Sequence, residues 1–168
     1  MKKWSIALFA SLAMTNVNAA NIPLTVDGGW EYFSFDSVGS SWSDTFSFTL
    51  TQQAMFSVTD AYSSGNEFSF TDGVSTWNTS TAINDGTNIN NDFDAAFASS
   101  KFSSLSILLN AGSYTISGIA TLSPYGGGGA AAQLSSVSAV PVPAAAVLFA
   151  PALLGFMGLR RKAKNIVA

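Results

Sequence analysis

The chain has 168 residues, no cysteine and no histidine, and a formal net charge of −3. That composition excludes disulfide stapling, Ser-His-Asp and Cys-His catalysis, and His-ligated zinc. The modest charge hides a division: all ten acids and only one base, Lys101, lie between residues 20 and 139, giving that segment about −9, which does not bind nucleic acid through charge.

Residues 1–19 read as a secretory signal peptide. Lys2 and Lys3 form the charged start, Ile6 to Met14 the short apolar core, and Val17-Asn18-Ala19 a signal-peptidase site with cleavage after Ala19, or alternatively after Ala20. The run is too short to span a membrane by itself. Export without cysteine leaves the following segment to fold on its hydrophobic core alone.

That segment, residues 20–122, reads as an all-β ectodomain. Ile22 to Val26 and Glu31 to Phe35 are strand candidates around Asp27-Gly28-Gly29. Asp44 to Leu50 alternates strictly, with Phe46, Phe48 and Leu50 on one face and hydroxyls on the other. Period-two alternation marks a half-buried strand. Phe56 and Val58 continue it, Tyr62 to Asn66 turn, and Phe68 and Phe70 resume it before the Asp72-Gly73 turn. Val74 to Thr79 forms a short strand. Asp94 to Ser100 supplies one helical turn. Leu105, Ile107 and Leu109 then lead through Asn110-Ala111-Gly112 to a return strand over Tyr114 to Leu122. Strands at this spacing predict an antiparallel β-sandwich of jelly-roll-like form.

Two stretches offer ligand chemistry. The run Asn84 to Asp94 is dense in side-chain oxygens, with Asp85, Asp92 and Asp94 as the carboxylates a calcium ion would take. It lacks EF-hand spacing, and the same residues serve equally as a polar loop satisfying its own backbone. Trp30, Tyr32, Trp42, Tyr62, Trp77 and Tyr125 lie in or near predicted turns, and Trp42 and Trp77 are the candidate sugar-stacking platforms. Core packing is the other use of such rings. Nothing in the spacing of the acids singles out a catalytic pair, so no catalytic residue and no enzymatic activity is assigned.

Residues 123–139 read as a Gly/Ala/Ser-rich linker, with four consecutive glycines at 126–129, or alternatively as a last strand around Gln133 to Val137. Val140-Pro141-Val142-Pro143 follows, extended because each proline disfavours helix in the residue before it. Residues 144–159 are apolar or small and predict a transmembrane helix. Counted from Val142, the uncharged run gives roughly 27 Å of helix, close to a bilayer's hydrocarbon thickness. Arg160, Arg161 and Lys162 then hold that end in the cytoplasm, leaving residues 20–140 outside.

The order of these parts in residues 140–164 resembles the PEP-CTERM sorting signal, with Pro141, Val142 and Pro143 on the family's Pro-Glu-Pro. Valine replaces the central glutamate, which places the match nearer the VPxP variants. The resemblance implies recognition by an exosortase-type membrane protease of Gram-negative bacteria that make exopolysaccharide. It implies an inner-membrane-anchored precursor, delivered to the cell surface or matrix. The fragments FTLTQQAMFSVTDAY, DFDAAFAS and LNAGSYTISG also resemble β-sandwich ectodomains that accompany this signal. The function expected is structural or adhesive in a biofilm, with no cofactor required; the alternative, from the aromatic and acidic residues above, is a carbohydrate-binding module, with or without calcium.

Overall fold

The computed structural model describes residues 19–137, and its strands follow the alternation of phenylalanine with hydroxyl residues. In chain order they are β1 (Ala20–Pro23), β2 (Glu31–Phe35), β3 (Asp44–Leu50), β4 (Ala54–Asp60), β5 (Glu67–Thr71) and β6 (Thr76–Asn78). A short helix, α1 (Phe93–Ala98), precedes β7 (Ser104–Leu109), β8 (Gly112–Leu122) and β9 (Gly128–Ser136). The strands form two sheets, ordered β1-β3-β8-β5-β6 and β2-β9-β4-β7. Among these strands only the β1–β3 pair is parallel.

Apart from β1, early strands meet late ones in reverse order: β2 with β9, β3 with β8, β4 with β7 and β5 with β6. That is the pattern of one long hairpin. Its two arms wrap round a shared core and are joined by the β4–β9 and β5–β8 pairs. Both sheets supply the core. Phe33 and Phe35 of β2 and Phe56 and Val58 of β4 meet Phe46 and Phe48 of β3 and Phe68 and Phe70 of β5. Burying each such side chain contributes about 1.5–3 kcal/mol. The rings meet at angles, as their quadrupoles prefer: Phe35 stands edge-on to Phe68 at 4.9 Å, and Phe33 to Phe46 at 5.8 Å. Outward hydroxyls pair across strands, as in Thr49 with Ser113 at 3.0 Å.

Trp42 locks this core. Ahead of β3, the chain already runs beside β8: Gly39 N–H donates to the Ala120 carbonyl at 2.8 Å, and Trp42 N–H to that of Gly118 at 2.9 Å. The pairing turns the Trp42 indole inward, where it stacks on Phe33 at 4.2 Å. Gly118 provides the space, because a Cβ there would lie 2.4 Å from the indole.

Of the stretch read either as a linker or as a last strand, Gly128–Ser136 form the strand β9. β9 lies between β2 and β4, and the compact unit closes at Ser136 rather than Leu122. Its glycines and alanines are small because both faces are crowded. Ala130, Ala131 and Ala132 are fully buried. A Cβ on Gly128 would lie 3.0 Å from the Phe35 ring, and one on Gly129 2.5 Å from that of Tyr32. The alternative of a last strand near Gln133 is the closer reading, though the strand begins five residues earlier, at Gly128. Smaller differences lie at β6, which excludes the exposed Val74, and at β1, which begins at Ala20 rather than Ile22.

Among the described residues no helix is long and apolar enough to cross a membrane. The expected span over 144–159, the sorting residues Val140, Pro141, Val142 and Pro143, the cations Arg160, Arg161 and Lys162, and signal residues 1–18 lie outside the described residues.

Two measurements check this architecture. Gly118→Ala is expected to lose about 1–3 kcal/mol in urea unfolding, by forcing the Trp42 indole off its site. A chain ended after Gly127, lacking β9, should show no cooperative thermal transition, whereas a true linker would leave the transition intact.

Candidate functional site

The two candidate platform tryptophans are packing residues. Trp42 is 2% exposed and touches Phe33, Phe46, Phe68 and Phe70, so no ring face is left for a ligand. Its position corrects the sequence reading: Ser40-Ser41-Trp42 looks like a turn but pairs with β8. Trp77 of β6 is half-buried, tilted against Phe70 at 5.7 Å. The hydrogen-bond register of β6 on β5 sets Trp77 opposite Phe70 on the core-facing side.

The three candidate calcium carboxylates are each engaged by a protein donor. Asp85 forms an ion pair with Lys101 at 2.7 Å and accepts from Thr87 N–H at 3.0 Å. Asp92 caps α1 by accepting from Ala95 N–H at 3.0 Å. Asp94 accepts from the Trp30 indole N–H at 2.8 Å. Among the described residues no three acidic side chains converge into a cation cage. These contacts match the polar-loop alternative, in which Asx side chains satisfy nearby N–H groups.

What the fold does assemble is an aromatic corner on the outer side of the second sheet. β2 turns Tyr32 outward, opposite Ala131 of β9. Tyr62 comes from the loop after β4. Their rings meet at 6.2 Å and 85°, with Tyr32 45% and Tyr62 36% exposed. Both lie on Gly129, where a side chain would displace them: a Cβ there would sit 2.5 Å from Tyr32 and 2.7 Å from Tyr62. Trp30 stands next along the chain, tilted over Phe97 of α1 at 5.4 Å.

Tyr62 adopts a left-handed backbone, φ 58°, a region that costs a bulky residue energy. Its surroundings hold it there. Tyr62 N–H donates to the Asn90 carbonyl at 2.9 Å, and the Tyr62 carbonyl accepts from Ile89 N–H at 3.0 Å. From beneath, the fully buried Asp60 gathers the same loop. Its Oδ1 accepts from Ala61 N–H and from Asn66 Nδ2, both at 2.9 Å, and its Oδ2 from Asn66 N–H at 3.1 Å. Burial pushes the Asp60 carboxyl from its ordinary 3.8 up to about 7, against the opposing pull of Asn66 and of the Ala61 and Gly65 backbone. Among the described residues, Asn66 Oδ1 and Ser103 Oγ, both buried, have no hydrogen-bond partner.

Sequence reasoning includes Tyr32 and Tyr62 among the turn aromatics without separating them from the rest. It counts Asp60 only as one of ten acids. The available signal was an acid closing the apolar strand AMFSV, with Ser-Gly-Asn to follow. The chain matches no protein-family model and no curated protein.

Chemically the corner offers two apolar ring faces set at a right angle over a rigid glycine floor. That suits stacking against a flat, weakly polar ligand face. Beneath it lies the buried Asp60 carboxyl group, which holds the loop.

The Asp60 environment fixes a pH dependence. Between about pH 4 and 7 the folded chain keeps a proton that the unfolded chain has released, so stability should fall as pH rises through that window. The loss is bounded near 4 kcal/mol and levels off above pH 7. Asp85, held low mainly by Lys101, and Asp72, held low by Ser75 N–H, act in the opposite direction only below about pH 4. Urea unfolding at pH 4.5, 6 and 7.5 reads the slope, and Asp60→Asn should flatten it.

Proposed function

We propose that this protein is the exported cargo of a C-terminal sorting pathway, held as an inner-membrane precursor and then delivered to the cell surface or matrix. One observation carries the reading: Val-Pro-Val-Pro, an apolar run and an Arg-Arg-Lys cluster follow one another in the sequence over residues 140–162, and Lys2-Lys3 with a short apolar run stand at residues 2–14, as in a signal peptide. Each part has its physical role. The prolines keep the peptide before the membrane extended for a protease, the apolar run anchors it, and the cations fix its direction. An exosortase-type protease is the partner this order implies.

The ectodomain is a jelly roll in this reading, supported by the β2-β9-β4-β7 and β3-β8-β5-β6 strand orders. Its role is structural or adhesive, in contact with exopolysaccharide. Intact-mass analysis of surface material should find a C-terminus between Pro141 and Ala144. A mature protein still carrying Arg160 to Ala168 would contradict the pathway.

A second reading, carbohydrate binding, is favoured by the exposed Tyr32–Tyr62 corner. Sugar rings stack on aromatic faces, and the right-angled rings would grip one residue of a neutral polysaccharide. Tyr32→Ala should weaken retention of purified exopolysaccharide about 3- to 10-fold, the worth of one aromatic contact, with the melting temperature nearly unchanged.

A further inference from the structure

We propose that the outer edge of β7 is a self-association surface through which two copies pair antiparallel about Ile107. The inference rests on main-chain groups and is independent of how the C-terminal peptide is processed.

β7 ends the second sheet, with β4 on its inner side. Which groups face outward follows from its ends. Ser104 N–H donates to Ser80 Oγ at 3.1 Å, and the Ser104 carbonyl accepts from Ser80 N–H at 3.0 Å. Ser80 lies in the connection from β6, so the Ser104 groups point away from β4. Along a strand every second residue repeats that direction. Ser106 and Leu108 therefore also present N–H and C=O outward, as does Asn110, whose carbonyl accepts from the Tyr114 hydroxyl at 3.1 Å. Both ends of the edge are closed by the chain's own groups. Ser106 and Leu108 have no partner for theirs among the described residues.

This open stretch is symmetric about Ile107. A two-fold axis there sets Ser106 opposite Leu108 of the second copy, and Leu108 opposite its Ser106. All four outward groups then find partners at once: each Ser106 N–H donates to a Leu108 carbonyl and each Leu108 N–H to a Ser106 carbonyl. An isologous contact needs that self-complementarity, and a foreign strand would meet it only by accident. The side chains agree. Leu108 is 52% exposed, and in this register the two Leu108 side chains become diagonal neighbours on one face.

Charge points to the same edge. The segment is strongly anionic, so two copies repel wherever acids face each other. β7, β4 and β9 carry one charged residue among them, the buried Asp60. The other described edges are blunted in the ways that discourage pairing: β1 is four residues long and ends in Pro23, β6 has three residues, and β2 begins at Glu31 with Asp36 just beyond it. β7 alone among them is long, uncharged and free of proline. Pairing there joins two four-stranded sheets into one of eight strands, leaving the Tyr32–Tyr62 corner of each copy on β2, at the opposite edge.

The chain has no cysteine, which makes the test direct. Full-length Leu108→Cys in detergent, treated with a short bis-maleimide, should give a covalent dimer whose yield rises with protein concentration. Val74→Cys, on the fully exposed β5–β6 turn, should give several-fold less. Adding Ser106→Lys to Leu108→Cys should reduce the dimer to the Val74→Cys level, with single-site labelling and a cooperative thermal transition preserved, the melting temperature falling only by the loss of the Ser106–Ser57 hydroxyl bond. Sedimentation provides a check that needs no cross-linker: the unmodified chain should run as a dimer and Leu108→Lys as a monomer. Equal cross-linking at 108 and 74, or an unmodified chain that stays monomeric, overturns the proposal. A β7 edge reserved for a foreign strand would give that monomer.

Discussion

The stack of Trp42 on Phe33, seated over Gly118, is the contact on which this fold depends. The chain has no disulfide to offer. Its ion pair between Asp85 and Lys101 joins two partly exposed side chains, where water and salt screen the attraction and little stability results. Stability must therefore come from apolar burial between the sheets, and Trp42 touches residues of both. Phe33 lies in one sheet, and Phe46, Phe68 and Phe70 in the other. The indole reaches that position only because residues 39–42 extend the pairing along β8 and because residue 118 has no side chain.

A core so rich in large rings needs small residues across from them. β9 supplies these, and its composition follows from its place. Ala130 and Ala132 share the core with Phe33 and Phe35, while Ala131 and Gly129 are crowded on the other face. The same smallness then shapes the surface. Gly129 lets Tyr32 and Tyr62 lie against the sheet, and Asp60, at the end of β4, gathers the loop that carries Tyr62. Core closure and the exposed aromatic corner are thus two consequences of one glycine- and alanine-rich strand.

Much of the fold was legible because alternation is a strong signal. β2 and β3 begin and end where Phe alternates with Ser and Thr, and β7 and β8 follow the Leu/Ile and Tyr/Ile patterns. Only the second half of β9, from Gln133, was legible as a strand, because residues 128–132 are glycine and alanine, crowded on both faces, with no polar side and hence no period of two. Four glycines in a row then read as slack, although they are clearance. Trp42 was misplaced for a related reason: its serine neighbours suggest a turn, and only the long-range pairing with β8 turns the ring inward. The buried state of Asp60 could not be read from residue type, since acids are almost always exposed unless a partner is built for them. For the calcium candidates, sequence showed the oxygens but not the donors that engage them. Lys101 and Trp30 reach Asp85 and Asp94 from 16 and 64 residues away.

The account stands on β9 being a structural strand at the centre of its sheet, packed against the aromatic core. Amide hydrogen exchange measures that residue by residue. The amides of Ala130, Ala132 and Leu134 should exchange as slowly as those of Phe56 and Val58, opening only when the whole domain unfolds. Exchange at those positions as fast as at the exposed Val74 would mean a loose tether rather than a strand, and would contradict the account.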